Sequence, residues 1–130
     1  MHYKMRDQIR FKIGKEEKNI QEKWIEIPEG TEHIQMMIEM PEEFRYMAFL
    51  FLEDPKKEIR FQKLLGYGQQ NPGIGKSTKD TTIGGVPGEI YPGTWKIGIG
   101  IFTEYVAQKL GEQTGEIVLT VSDRKDVVSD

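Results

Sequence analysis

Residues 72–78 (PGIGKST) contain the residue types that form phosphate-binding loops. Such a loop requires a further glycine five positions before the Gly-Lys pair, and a helix directly after it whose N-terminus faces the anion. The required position is occupied by Gln70, and residues 79–87 (KDTTIGGVP) cannot form a long helix. The sequence therefore argues against nucleotide binding at this segment.

Metal ligands and nucleophiles are scarce in this sequence. The chain has no cysteine and only two histidines, His2 and His33, which are far apart. Zinc and di-metal hydrolase sites draw on several histidines together with carboxylates, and a thiol nucleophile requires cysteine. We expect His33 to be an exposed residue at the edge of a strand. We also expect no metal, no cofactor and no catalytic residue in this chain.

Aromatic residues in or beside predicted loops are the best candidates for ligand contacts. Tyr67, Tyr91 and Tyr105 are the candidate binding residues, and Phe102 lies in the same part of the sequence. Aromatic rings present broad apolar faces, which stack well on sugar rings. A carbohydrate-binding module that uses these aromatics is therefore an alternative function. Trp95 alternates with isoleucines, which predicts a position in the core.

Alternating apolar residues predict the elements that must position these side chains. Period-two alternation is typical of half-buried strands, and it is clearest in residues 95–101 (WKIGIGI). Residues 46–52 (YMAFLFL) are apolar at every position, which predicts a central strand covered on both faces. Proline and glycine turns separate the runs without repeated amphipathic helices, although one helical turn is an alternative for residues 104–109. The pattern predicts an all-β protein, an antiparallel β-sandwich with jelly-roll-like connections and about 8 strands.

The inward-facing positions of these runs form the predicted core. Its members are Ile9, Phe11, Ile25, Ile27, Ile34, Met36, Ile38, Met47, Phe49, Phe51, Ile59, Phe61, Trp95, Ile97, Ile99, Ile117, Leu119 and Val121.

Residues 66–93 differ from the rest of the chain. They are rich in glycine, contain three prolines and have few aliphatic side chains. A long irregular segment is uncommon in a compact domain and usually has a structural or functional reason. Three interpretations are open for it: a jelly-roll crossover, a loop that faces a ligand, or disorder.

Three segments carry a resemblance to a known family. Residues 24–34 (WIEIPEGTEHI) resemble the (F/V)-x-(V/I)-P-E-G-T-E-x-(I/L) opening of the N-terminal domain in CehA/McbA-type metallohydrolases, which belong to the PHP (polymerase and histidinol phosphatase) superfamily. Residues 49–55 (FLFLEDP) resemble that domain's L-x-L-x-D-P strand end. Residues 85–97 (GVPGEIYPGTWKI) resemble its G-Y-x-P-G-x-I-x-P-G-T-W-x-(V/I) segment. These segments follow in the same order over roughly residues 20–122.

The resemblance implies a β-sandwich domain that accompanies an activity located elsewhere. In the relatives a metal-dependent phosphoesterase domain follows, and its His-x-His motif is absent from these 130 residues. The expected function is a non-catalytic accessory domain that packs against a PHP catalytic domain in cis or in trans, or against a second copy of itself. Residues 66–93 are the expected contact. Gly30 and Gly93 are expected to adopt positive φ, because each belongs to a turn that leads into a strand.

Length and charge limit the remaining possibilities. A chain of 130 residues predicts a single domain, here residues 1–122, followed by a polar tail or linker at residues 123–130. The net charge is −3 with interspersed signs, so no basic stripe indicates nucleic acid as a partner. The N-terminus does not resemble a secretory signal, and the longest apolar run is too short to cross a membrane. Together with the absence of cysteine, this predicts a cytoplasmic protein.

Overall fold

The computed structural model describes residues 6–123, which form two β-sheets packed face to face. The strands are β1 (Arg6–Ile13), β2 (Ile20–Ile27), β3 (His33–Met40), β4 (Ala48–Glu53), β5 (Ile59–Leu64), β6 (Gly68–Gln70), β7 (Gly73–Gly75), β8 (Gly93–Ile101) and β9 (Gly115–Ser122). Helix α1 (Thr103–Leu110) follows β8, and short 3₁₀ helices lie at Glu42–Phe44 and Thr78–Asp80. Of the predicted tail, only Asp123 falls within the described residues, and His2 lies outside them.

The order of the strands confirms the predicted β-sandwich with jelly-roll connections. The first sheet has the order β1-β9-β3-β6, with β7 also paired to β3, and the second has the order β2-β8-β4-β5. All pairs are antiparallel. The chain passes from one sheet to the other at every connection except β4–β5 and β6–β7. The described residues form nine strands because β6 and β7 are two short pieces along one edge of β3.

The core lies between the two sheets, and most of it was predicted from the alternation. The confirmed members are Phe11, Ile25, Ile27, Ile34, Met36, Ile38, Met47, Phe61, Trp95, Ile97, Ile99, Ile117, Leu119 and Val121. Trp95 is fully buried, and its indole N–H donates a hydrogen bond to the Tyr91 carbonyl at 2.7 Å. Ile9 is only partly buried and packs against this core.

The prediction for β4 was wrong about which side chains enter the core. Leu50 and Leu52 are buried between the sheets, whereas Phe49 and Phe51 are half-buried on the outer face of the second sheet. Successive side chains of a strand point to opposite faces, so a run that is apolar at every position does not show which set is inside. The strand also begins later than predicted, at Ala48.

A β-bulge explains why Ile59 is exposed although it was predicted to be buried. The β4–β5 pairing joins Leu52 to Phe61 and then Glu53 to Ile59, which leaves Arg60 as the extra residue. A bulge of this kind changes the direction of the side chains that follow it. Arg60 is therefore buried, while Ile59 remains 40% exposed.

Residues 66–93 form the crossover of the jelly roll, which was one of the three open interpretations. They leave the second sheet after β5, pair with β3 through β6 and β7, and return to the second sheet at β8. The expectation that His33 is exposed was wrong. It is buried in β3, and its Nε2 lies 3.0 Å from Gln35 Oε1. The Gln35 amide donates to the Asn71 and Pro72 carbonyls, so His33 Nε2 must carry the proton and donate.

Two local predictions were confirmed. Gly30 and Gly93 have φ values of +85° and +124°, which glycine adopts more readily than other residues. The stretch for which one helical turn was the alternative forms the helix α1.

Candidate functional site

The structure places the three candidate tyrosines in different surroundings. Tyr105 lies on α1 and Tyr67 lies between β5 and β6, and both are exposed. Tyr91 lies just before β8 and is half-buried, with the Lys56 ammonium 4.2 Å from its ring centroid.

Tyr67 and Tyr105 lie at one end of the sandwich and Tyr91 at the other. The end of β5 pairs with the start of β4, and the start of β4 pairs with the end of β8, after which α1 begins. Tyr91 precedes the other end of β8, a nine-residue strand. At about 3.3 Å per residue, β8 separates Tyr91 from α1 by about 26 Å.

Large exposed hydrophobic side chains surround α1, and we call this group the helix-end surface. Its members are Ile20, Tyr46, Phe102 and Tyr105, which are 60%, 56%, 46% and 44% exposed. Two neighbouring cavities, of about 550 and 710 Å³, are both lined by Phe102 and Tyr105. Ile20 lines the first of these cavities and Tyr46 the second, so the four side chains border two adjacent shallow cavities.

The sequence of α1 explains why Tyr105 faces outwards. Val106 is fully buried and Leu110, one turn later, packs against the core. Tyr105 and Lys109 are also one turn apart, and their row lies about 100° around the helix from that of Val106 and Leu110, with the Lys109 ammonium 5.6 Å from the Tyr105 ring centroid. The helix ends at Leu110 and is followed by Gly111, whose φ of +62° and ψ of −120° form a conformation that glycine adopts more readily than other residues.

Backbone hydrogen bonds fix the chain on both sides of Phe102. The Phe102 N–H donates to the Met47 carbonyl at 3.0 Å, and the Ile101 N–H donates to the Asn19 carbonyl at 2.7 Å. The side chains of Thr103 and Asn19 are also hydrogen bonded. These bonds connect the segment before α1 to the residues that directly precede β2 and β4.

Tyr46 is held in an unfavourable backbone conformation. Its φ is +61°, a region that bulky residues rarely occupy. The conformation is maintained by a 2.8 Å hydrogen bond from the Tyr46 N–H to the Leu65 carbonyl and by a 3.0 Å bond from the Met47 N–H to the Phe44 carbonyl. Backbone strain of this kind is concentrated at functional sites in many proteins.

Sequence reasoning found Tyr105 and Phe102 but missed Ile20 and Tyr46. Ile20 lies on the outer face because Ile25 and Ile27, at odd-numbered positions of β2, face inwards. That alternation was available in the sequence and could have identified it. Nothing in the sequence indicates the positive φ of Tyr46.

Charged residues of both signs border the helix-end surface. Glu43, Arg45 and Lys109 line one of the two cavities, and Glu104 lines the other. An aromatic centre with a mixed polar border is typical of protein–protein interfaces.

Within residues 6–123, no three histidine, aspartate or glutamate side chains are grouped so that they could hold a metal ion. Across the same residues, no helix combines the length and apolar character needed to cross a bilayer.

Comparison with protein families and with curated proteins finds no match for this sequence. Among solved structures, the chain is similar to the Clostridium perfringens CspB protease, with a TM-score of 0.49 and 14% sequence identity. The similarity covers 88% of this chain and 25% of that protein, so the chain spans about a quarter of its length. A likeness of this degree supports no statement about activity.

Proposed function

We propose that this chain is a non-catalytic accessory domain that binds a protein partner through the helix-end surface. The observation that carries the proposal is the group of four large hydrophobic side chains exposed around α1. Exposed apolar groups that are contiguous and bordered by charge mark interaction sites more often than isolated exposed residues do. Aromatic side chains dominate such contacts because each buries a large area at a low entropic cost.

The proposed partner is a PHP-type metal-dependent phosphoesterase domain, joined in cis or bound in trans. Support for this choice comes from the three segments that resemble the N-terminal domain of such enzymes. In this fold the matching residues have structural roles, since Gly30 and Gly93 occupy positive φ and Asp54 Oδ1 accepts the N–H groups of Lys56 and Glu58. In this proposal both proteins occupy the cytoplasm, which suits a chain without cysteine.

The helix-end surface is a better contact than residues 66–93, where the sequence placed it. That segment exposes Tyr67, Ile83 and Val86. Its backbone is otherwise fixed to the sheets, for example by the bonds from Arg60 to the Val86 and Glu89 carbonyls. The four side chains of the helix-end surface, in contrast, line two cavities that share Phe102 and Tyr105, so they form one group.

Titration calorimetry of the full chain against a PHP-type phosphoesterase domain from the same genome tests the proposal. We expect a complex that Phe102→Asp or Tyr105→Asp weakens by about tenfold or more, the loss typical of a central interface residue. The matched control is Ile83→Asp, which adds the same charge at a residue that is 98% exposed on the crossover. Light scattering of the chain alone measures self-association.

Loss of binding in the α1 variants, with wild-type affinity in the control, supports the proposal. Loss only in Ile83→Asp moves the contact to residues 66–93 and contradicts the assignment of the helix-end surface. A chain that remains monomeric and binds no phosphoesterase domain overturns the proposed function.

A further inference from the structure

The two tryptophans of this chain have opposite environments. Trp95 is fully buried, whereas Trp24 is 60% exposed on the outer face of the second sheet. Trp24 lies on β2, an edge strand, and pairs with Lys96 of β8. An exposed indole at a fixed position on a sheet is a large apolar surface with no partner in the described chain.

Trp24 lines a cleft of about 420 Å³ together with polar side chains, and we call it the Trp24 cleft. Its other lining residues are Glu53, Asp54, Pro55, Lys57, Thr94 and Lys96. This volume is within the range of small-ligand sites, which combine apolar surfaces with a few polar groups that converge on the ligand.

The polar groups beside Trp24 are held by one another. The Lys96 ammonium lies 3.2 Å from a Glu22 carboxylate oxygen and 3.4 Å from one of Glu53. The Thr94 hydroxyl is hydrogen bonded to the Glu26 carboxylate. These contacts present carboxylate, ammonium and hydroxyl groups side by side, around the cleft that Trp24 also lines.

The balance of charge indicates the class of ligand. A cationic ligand would be repelled by the Lys57 and Lys96 ammonium groups. An anionic ligand would be repelled by the Glu53 and Asp54 carboxylates that line the cleft and by those of Glu22 and Glu26 beside it. A neutral ligand with many hydroxyl groups is repelled by neither kind of charge. Each of its hydroxyl groups can donate a hydrogen bond to a carboxylate and accept one from an ammonium group. Its carbon-bound hydrogens form an apolar face that can stack on an indole.

We propose that the Trp24 cleft binds a neutral saccharide, with Trp24 as the stacking group and Glu53 and Lys96 as hydrogen-bonding groups. The ligand class is that of the alternative function considered from the sequence, but the residues are different. The cleft is separate from the helix-end surface, since Trp24 and Ile20 are four residues apart on β2, about 13 Å. This proposal therefore does not depend on the proposed protein partner.

The test is titration of the full chain with cellohexaose, xylohexaose, mannohexaose and maltohexaose, followed by calorimetry and by quenching of tryptophan fluorescence with acrylamide. We expect at least one of these neutral oligosaccharides to bind and to protect the exposed Trp24 from the quencher. Trp24→Ala should weaken binding by about tenfold or more, because it removes the stacking surface. Trp24→Tyr should restore most of the affinity, and Glu53→Gln should weaken binding less than Trp24→Ala does.

Controls separate this site from the proposed protein interface. Tyr105→Ala should leave saccharide binding unchanged, and Trp24→Ala should leave binding to a phosphoesterase domain unchanged. Thermal melts of each variant check that it remains folded. The proposal is overturned if none of the four oligosaccharides binds or if Trp24→Ala binds them as well as the wild type does.

Discussion

The ring of Phe51 lies directly over Gly98 on the outer face of the second sheet. A β-carbon built on Gly98 would be 2.0 Å from Phe51 Cζ, which is well inside contact distance. Phe51 and Gly98 are register partners on β4 and β8. The absence of a side chain at Gly98 therefore leaves the space that the Phe51 ring occupies, and the half-buried ring lies over the buried glycine.

This relationship predicts that Gly98→Ala destabilises the fold. The methyl group would displace the far end of the half-buried Phe51 ring, so we expect a cost of about 1 kcal/mol, the lower end of the range for overpacking. Urea unfolding monitored by circular dichroism measures the change. The matched control is Gly100→Ala on the same face of β8, where a β-carbon would meet no atom within 4 Å.

The double variant Gly98→Ala/Phe51→Ala tests the cause. If the ring is the obstacle, Gly98→Ala should cost clearly less in the Phe51→Ala background than in the wild type. Equal costs in the two backgrounds would show that Phe51 is not responsible.

The buried ion pair of Arg60 and Asp54 should be essential for stability. Their side chains are 4% and 0% exposed and are 3.3 Å apart, and Arg60 also donates to the Val86 and Glu89 carbonyls. Arg60→Ala would leave the Asp54 carboxylate buried without its cation, and breaking such a pair costs about 3–5 kcal/mol.

Unfolding in urea measures that loss, and limited proteolysis should show early cleavage near residues 84–90. The comparison is Arg10→Ala, which removes an exposed ion pair with Glu116 and should change stability by less than about 1 kcal/mol. Similar losses in the two variants would contradict the prediction.

The conformation of Tyr46 predicts an unusual order of stabilities. Alanine is normally preferred to glycine, but at the φ of +61° found here an L-residue is strained by about 1–2 kcal/mol. Tyr46→Gly should therefore be more stable than Tyr46→Ala by about 1 kcal/mol. Thermal melts compare the two variants. The same order is expected for Lys57→Gly and Lys57→Ala, because Lys57 has a φ of +70°; the reverse order at both positions would contradict the argument.

The pKa of Lys96 should be raised above its usual value of 10.5, chiefly by the hydrogen bond to Glu22 and further by the charges of Glu22 and Glu53. A raised pKa in the folded state favours the protonated form, so the stabilisation is complete below pH 10.5 and is lost as the pH rises through the folded-state pKa. An NMR titration of the Lys96 side chain measures the pKa directly. In Glu22→Gln the pKa should fall towards 10.5, and an unchanged pKa would show that Glu22 is not the cause.

The sequence by itself determined the class of fold. Alternation in residues 95–101 placed Trp95 and the isoleucines in the core, and the turn signals at Gly30 and Gly93 gave the correct backbone conformation. These features are local, because period-two patterning and the freedom of glycine act within a few residues of chain. The jelly-roll class followed from many short strands without amphipathic helices.

The tertiary structure alone decided the details on which function depends. The faces of β4, the burial of Arg60 at a bulge and the burial of His33 under the crossover all depend on strands that are distant in sequence. Tyr105 was recognisable as a candidate, but the exposure of Tyr46 depends on a hydrogen bond to Leu65, nineteen residues away. Whether a residue is buried depends on which other element packs over it, and the sequence of a single strand does not show which element that is.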